Sequence, residues 1–168
     1  MVEGMPEVMA VQAFETPVSF PLGFSTVVPA DMRVEQVGSG EGDVVRFEAA
    51  FGGVHRPEAL LSLTVLPGDL SESEAREQFA SVAAVLGAGP HSGERFPWAL
   101  QERMLIGDVS GFVALGRHQD RWYLMAMQHP PEYGDGMAPR VDLMLRRWRW
   151  TSDGSPLHPG EPRAGDGT

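Results

Sequence analysis

The chain has no cysteine, no lysine and no asparagine, and Ile106 is its only isoleucine. Each gap closes off a class of chemistry. Without cysteine there is no disulfide, no thiolate nucleophile, no iron–sulfur ligand and no thiol for a lipid anchor. Without lysine there is neither a phosphate-cradling P-loop nor a Schiff base. Without asparagine there is no N-glycan acceptor. Lys, Asn and Ile are the residues with A/T-rich codons. Beside abundant Arg, Gly, Pro and Ala, their scarcity points to a GC-rich, bacterial genome rather than to selection against a modifiable amine. The lack of cysteine also leaves the redox compartment unmarked.

Long apolar runs are missing too. No stretch approaches the ~18 residues that a membrane-spanning helix needs. Met1 to Phe14 holds Glu3, Pro6 and Glu7, and lacks the basic start and apolar middle of a secretory signal. The sequence as it stands therefore reads as cytoplasmic, or as exported if a leader has been removed from it.

The 168 residues suit one domain, large enough to bury roughly two thirds of its unfolded surface without disulfides or a structural metal. The net charge is -10, and it is uneven: residues 1–84 hold 13 acids and 4 Arg, residues 85–168 hold 10 acids and 9 Arg. So acidic a chain is a poor general binder of nucleic acid, where clustered basic residues are required. The acidic half reads either as a docking face or as a solvated surface.

Apolar patterning predicts a mixture of strands and two helices. Val18 to Val28 suggests a first strand pair broken at Pro21-Leu22-Gly23. Met32 to Val37, Val44 to Phe51 and Leu60 to Leu66 alternate as strands, with a Gly-rich hairpin loop over Gly38 to Asp43. Ser71 with Glu74 forms a capping box, and Ala75, Phe79, Val82, Ala83 and Leu86 lie at helical spacing up to Gly87 and Gly89. Leu100 to Ile106, Gly111 to His118 and Arg121 to Gln128 follow as strands. The last is apolar on both faces, as a central strand covered on both sides would be. Pro130-Pro131 breaks the sheet, Glu132 to Met137 reads as a loop, and a second helix starts near Pro139 with Val141, Met144, Leu145 and Trp148 on one face. The predicted class is α+β: an α/β/α sandwich with a central, twisted, mainly antiparallel sheet covered by helices. Residues 1–14 are expected to be a flexible arm, 15–150 the single domain, and 151–168 a disordered tail rich in Gly and Pro.

No constellation of residues announces a reaction. Gly38-Ser39-Gly40-Glu41-Gly42 sits between strands, with no helix N-terminus to bind an anion. There is no Gly-x-Ser-x-Gly elbow. His55, His91, His118, His129 and His158 share no ligand spacing, so no metal site or cofactor is predicted. Glu94, Glu102 and Asp108 would need tertiary contact to act as an acid/base pair. His129 ends the central strand, where a pocket would open. With Met104, Met125 and Met127 it suggests an adaptable apolar pocket, which Met137 and Met144 would also line. The sharpest local feature is Leu145-Arg146-Arg147-Trp148-Arg149-Trp150, since Arg with Trp is the mix of protein hot spots. Trp148 continues the buried helical stripe. Trp150, about 200° further round if the helix ran on, is expected to be more exposed and to form a partner-binding patch with Arg146 and Arg149, unless an edge strand turns it inward.

The order of elements resembles the PsbP-like superfamily. The resemblance begins at Phe20-Pro21-Leu22-Gly23-Phe24-Ser25, leading to a turn at Pro29. It continues through strands, one capped helix, a strand trio with Gly111 opening its middle arm, Pro130-Pro131, and a terminal helix running into Leu145 to Trp150. That superfamily includes the photosystem II extrinsic protein P, a Ran-binding nucleotide-release factor, DcrB-like bacterial proteins and Eag-type chaperones of secreted effectors. The resemblance covers residues 15 to 150. It implies an adaptor or chaperone-like module that docks a protein or peptide, and it transfers no catalytic or metal-binding residue. Two alternatives from other classes stand beside this reading. One is a small-molecule or lipid carrier using the Met-rich pocket. The other is a hydrolase assembled from dispersed His and carboxylates.

Overall fold

Strands are the main regular structure of the chain, and most of them alternate apolar and polar side chains. The computed structural model describes residues 10–18, 20–39, 42–92 and 96–157. In chain order the strands are β1 (Val11–Glu15), β2 (Phe24–Pro29), β3 (Met32–Ser39), β4 (Gly42–Ala49) and β5 (Arg56–Val65), followed by helix α1 (Glu72–Leu86). Then come β6 (Ala88–Ser92), β7 (Ala99–Leu105), β8 (Ser110–His118), β9 (Arg121–His129), helix α2 (Gly134–Arg146) and the short β10 (Arg149–Trp150). Seven strands form one sheet in the order β3-β4-β5-β9-β8-β7-β6, and β1-β2-β10 form a second, smaller one. Every registered pairing is antiparallel. The fold is α+β, dominated by a large antiparallel sheet.

Strand β9 shows how the core is divided. Trp122, Leu124 and Ala126 join Leu66, Ala75, Phe79, Ala83, Val113 and Leu115 in a cluster under α1. The intervening Tyr123, Met125 and Met127 belong to a larger cluster with Phe24, Phe47, Val141, Met144 and Trp148. A period of two thus feeds two cores from one strand, as the doubly apolar sequence of β9 predicts. Helix α1 starts as its capping box dictates: Ser71 Oγ accepts from the Glu74 N–H, and the Glu74 carboxylate accepts from the Ser71 N–H. Gly87, at φ 81°, ends it in the left-handed conformation. Helix α2 is tied to the small sheet by Thr26 Oγ1, which donates to the Met144 carbonyl at 2.6 Å.

Several boundaries differ from those expected. Val11 to Phe14 do not belong to a loose arm. They pair with β2 as β1, and Phe14 packs edge-on against Phe47. The first strand pair is therefore β1–β2 and not a split within Val18 to Val28. Strands β3 and β4 extend to Ser39 and Gly42, which shortens the expected Gly38–Asp43 loop; residues 40 and 41 lie outside the described ones. β6 is not legible in the sequence, because Gly87 and Gly89 read as a helix exit. α2 begins at Gly134 instead of Pro139, so Met137 is a buried helical residue. Pro139 deletes only one helical bond near the start, which the packed face tolerates.

The start of the expected tail is also ordered. Trp150 N–H donates to Ser155 O, Thr151 N–H to Gly23 O and Leu157 N–H to Trp148 O, and Leu157 is 1% exposed. Residues 1–9 and 158–168 lie outside the described ones. Leu157→Ala is therefore expected to cost about 2 kcal/mol, the lower end for a buried leucine because the site is close to a terminus. Chemical denaturation of the full chain checks this, and an unchanged midpoint would restore the view that nothing after Trp150 matters to the fold.

Candidate functional site

The Arg/Trp segment is shaped by the end of α2. Arg147, at φ -97° and ψ 2°, stops the helix, and its N–H is shared by Leu143 O and Leu145 O. The chain then straightens, and Arg149-Trp150 pair with Ser25 and Phe24 of β2. Periodicity thus changes from helical to two. Trp148 and Trp150 both turn inward, while Arg146, Arg147 and Arg149 remain exposed. Trp148 stacks on Phe24 with centroids 4.0 Å apart. Trp150 is 3% exposed, stacked on His118 at 4.8 Å and leaning on Tyr123 at 5.0 Å. The expected exposure of Trp150 is thus corrected: its ring is core, and it forms no surface patch with Arg146 and Arg149. Arg146 Nε donates to Asp142 at 2.8 Å, one helical turn back, and Arg149 Nη1 donates to Gly154 O at 3.3 Å. Burial pushes the Tyr123 phenol far above its ordinary pKa, so it stays neutral beside Trp150.

The methionines and His129 occupy different surroundings. Met125 and Met127 are packed in the larger core, whereas Met104 is 39% exposed on β7. His129 is buried, and its Nδ1–H donates to Pro130 O at 2.7 Å. That bond fixes the ring as a clamp on the chain turning out of β9. Two open grooves border α1, one lined by Glu72, Arg76 and Gln101 and the other by Glu74 and Gln78. Neither includes Met104, Met125, Met127 or His129.

The dispersed acids and histidines form no reactive set. His118 Nε2 lies 3.3 Å from Ser152 Oγ and 3.6 Å from Asp153 Oδ1. Both groups face the same ring nitrogen, so neither can orient His118 as a base for the other, as a triad requires. Asp153 is turned instead to Ser155, whose hydroxyl and N–H hold its carboxyl below the usual range, with His118 adding to the effect. Glu102 is buried and accepts the Phe96 N–H at 3.0 Å, Asp108 lies exposed after β7, and Glu94 lies outside the described residues. One carboxylate–imidazole pair escaped the sequence reading. Glu48, buried on β4, meets His55 Nε2 through Oε1, with Arg46 3.8 Å from its Oε2. Glu48 alternates with apolar neighbours as a solvent-facing residue would, so only the return of the chain after Phe51–Gly53 reveals the contact. It pins that return to the sheet. Among the described residues no group of three His, Cys, Asp or Glu could hold a metal, and no helix is long and apolar enough to cross a membrane.

The architecture can be placed among known ones. Cyanobacterial PsbP (CyanoP) from Synechocystis sp. PCC 6803, a solution structure, superposes with a TM-score of 0.53 over 88% of this chain and 96% of that one. The chain has a PsbP-like fold. Identity to CyanoP is 12%, so the likeness is one of fold. No protein family and no curated protein matches the sequence. Within the PsbP-like fold, the resemblance read from Phe20 to Trp150 falls on a real framework: β2, the α1 capping box, Gly111 in β8 and α2 running into β10.

Because Trp150 is core, Trp150→Ala is expected to destabilise the chain by about 3 kcal/mol. It should also redshift the tryptophan emission of the folded state less than Trp148→Ala does, since Trp150 lies nearer the surface, against His118. A melt identical to that of the unaltered protein would return Trp150 to the surface patch.

Proposed function

We propose that the protein is a non-catalytic binding module of adaptor or chaperone type, docking an acidic protein or peptide segment. We further read its architecture as an α/β/α sandwich, with α1 over one face of the main sheet and α2 over the other. The observation that carries the functional reading is the rigid turn at the end of α2. It displays Arg146, Arg147 and Arg149 outward while Trp148 and Trp150 anchor it from beneath. Arginines held on a fixed backbone bind carboxylates with less ordering cost than mobile ones. The PsbP-like fold is compatible with such a role. The carrier reading loses ground because Met125 and Met127 sit in close-packed core. The hydrolase reading does so because His118 and His129 are committed to Trp150 and Pro130.

The test is affinity capture from the source lysate with the unaltered chain and with the double variant Arg146→Glu, Arg149→Glu. Both arginines are exposed, but the variant loses the Arg146–Asp142 pair and places an acid at the end of α2, so the melt should fall by about 1–2 kcal/mol with the fold kept. Retention of one stoichiometric protein by the unaltered chain and its loss from the variant is the expected result. Co-purified lipid, or a partner held equally by both, would overturn the reading.

A further inference from the structure

We propose that the outer edge of β3 is a homodimer interface, joining two copies into one continuous antiparallel sheet. β3 ends the seven-stranded sheet, and among the described residues no strand pairs with its outer side. It runs from Met32 to Ser39 without a proline, in unbroken register with β4. An open edge of this length is a template for another strand unless something blocks it.

The register decides which backbone groups face outward. The Ala50 N–H donates to the Asp31 carbonyl at 2.8 Å, and the β3–β4 register places those two residues opposite each other. They form a hydrogen-bonded pair. Such pairs alternate along an antiparallel ladder, so Arg33 and Glu35 spend their backbone groups on β4. Met32, Val34 and Gln36 turn theirs to the free edge.

The sequence around Val34 is complementary to itself. A second copy laid antiparallel, with the two-fold axis at Val34, makes the two Val34 residues a hydrogen-bonded pair. It also sets Arg33 of each copy against Glu35 of the other. β4 extends the pattern, because Glu48 lies beside Arg33 and Arg46 beside Glu35. Each row across the joined sheet then reads Glu48, Arg33, Glu35 and Arg46, the last two from the second copy, with signs alternating throughout. Opposite charges on adjacent strands favour pairing, and like charges oppose it. On the other face the side chain of Val34, 39% exposed, meets its counterpart. Neighbouring registers lack this match. An axis at Gln36 sets Glu35 against Val37. An axis at Met32 sets Arg33 against Asp31 of the other copy, but Asp31 lies in the turn before β3 and is already bound by Arg140 Nη2 at 2.7 Å, and Glu35 is left without an arginine opposite. The charge order therefore selects a second copy as occupant, in one register.

Sedimentation equilibrium of the full chain tests this. A reversible dimer that weakens as salt is raised is expected. Glu35→Arg brings arginines face to face twice, by symmetry, and should raise the dimer dissociation constant about tenfold or more. Val34→Pro removes the outward N–H, a change edge strands tolerate, and should abolish the dimer while the far-ultraviolet dichroism is kept. The chain has no cysteine, so Val34→Cys introduces a single thiol. Opposed Cα atoms in a hydrogen-bonded pair lie about 5.5 Å apart, within disulfide reach. Oxidation should give covalent dimer quickly from Val34→Cys and slowly from Val85→Cys, an exposed position on α1. A monomer at every concentration, a dimer indifferent to Glu35→Arg, or equal cross-linking of the two thiols would overturn the proposal. If Glu35→Arg fails to fold, the comparison of thiols decides.

Discussion

Trp148→Ala is expected to destabilise the protein by about 3–5 kcal/mol, as large truncations at fully buried aromatic sites do. For a chain of this size the melting temperature should fall by roughly 6–20 °C. The reason lies in position. Trp148 is fully buried, stacked on Phe24 and edge-on to both Phe47 and Trp150, at the junction of α2, β2 and β4. Removing the ring opens a cavity that three separate elements line, and none of them can collapse into it without breaking its own ladder. Trp148→Phe offers a sharper control. It keeps a ring to stack on Phe24, and it removes an indole N–H that has no hydrogen-bond partner among the described residues. Its loss of volume is then partly offset by the end of an unsatisfied buried donor, so it should cost well under half of what Trp148→Ala does. Denaturant unfolding of the two variants checks this. If they are equally destabilised, the stacking argument fails.

Gly111→Ala is expected to rival that loss, at ~3 kcal/mol or more, through backbone strain added to overpacking. Gly111, the second residue of β8, has φ 137°, a region L-residues rarely enter, and it stands opposite Gln128 of β9. A Cβ there would fall onto the carbonyl oxygen of Met127, a backbone atom of the central strand that cannot swing aside. Gly68→Ala is the matched control. The nearest atoms to a Cβ at Gly68 are those of the Arg121 side chain, at an ordinary 3.5 Å, so the melt should change little. Thermal unfolding of both variants in parallel decides the matter. A Gly111→Ala protein as stable as the original would show that β8 and β9 can slide apart at that point.

What the sequence by itself determined was whatever depends on local pattern. The capping box of Ser71 and Glu74 set the start of α1, because both halves of that bond lie within four residues. The doubly apolar run of β9 declared a strand covered on two faces. Val141, Met144, Leu145 and Trp148 named the buried face of α2, since a helix repeats its neighbours every three or four residues. The order of these elements sufficed to resemble a PsbP-like fold. The tertiary structure alone decided where periodicity changes. Trp150 was placed by helical arithmetic, yet the helix stops at Arg146, and an open position beside Phe24 draws Arg149-Trp150 into a strand. Two residues along a strand return to the same face, so Trp150 follows Trp148 inward. β1 and Leu157 show the same dependence. Neither segment has enough apolar pattern to declare itself, and each is ordered by a partner outside itself, β1 by Ser25 to Pro29 and Leu157 by Trp148. The Glu48–His55 pair and the scattering of the methionines between core and surface were likewise invisible in one dimension. Which side chains meet across a sheet depends on strand order, and strand order is a property of the whole fold.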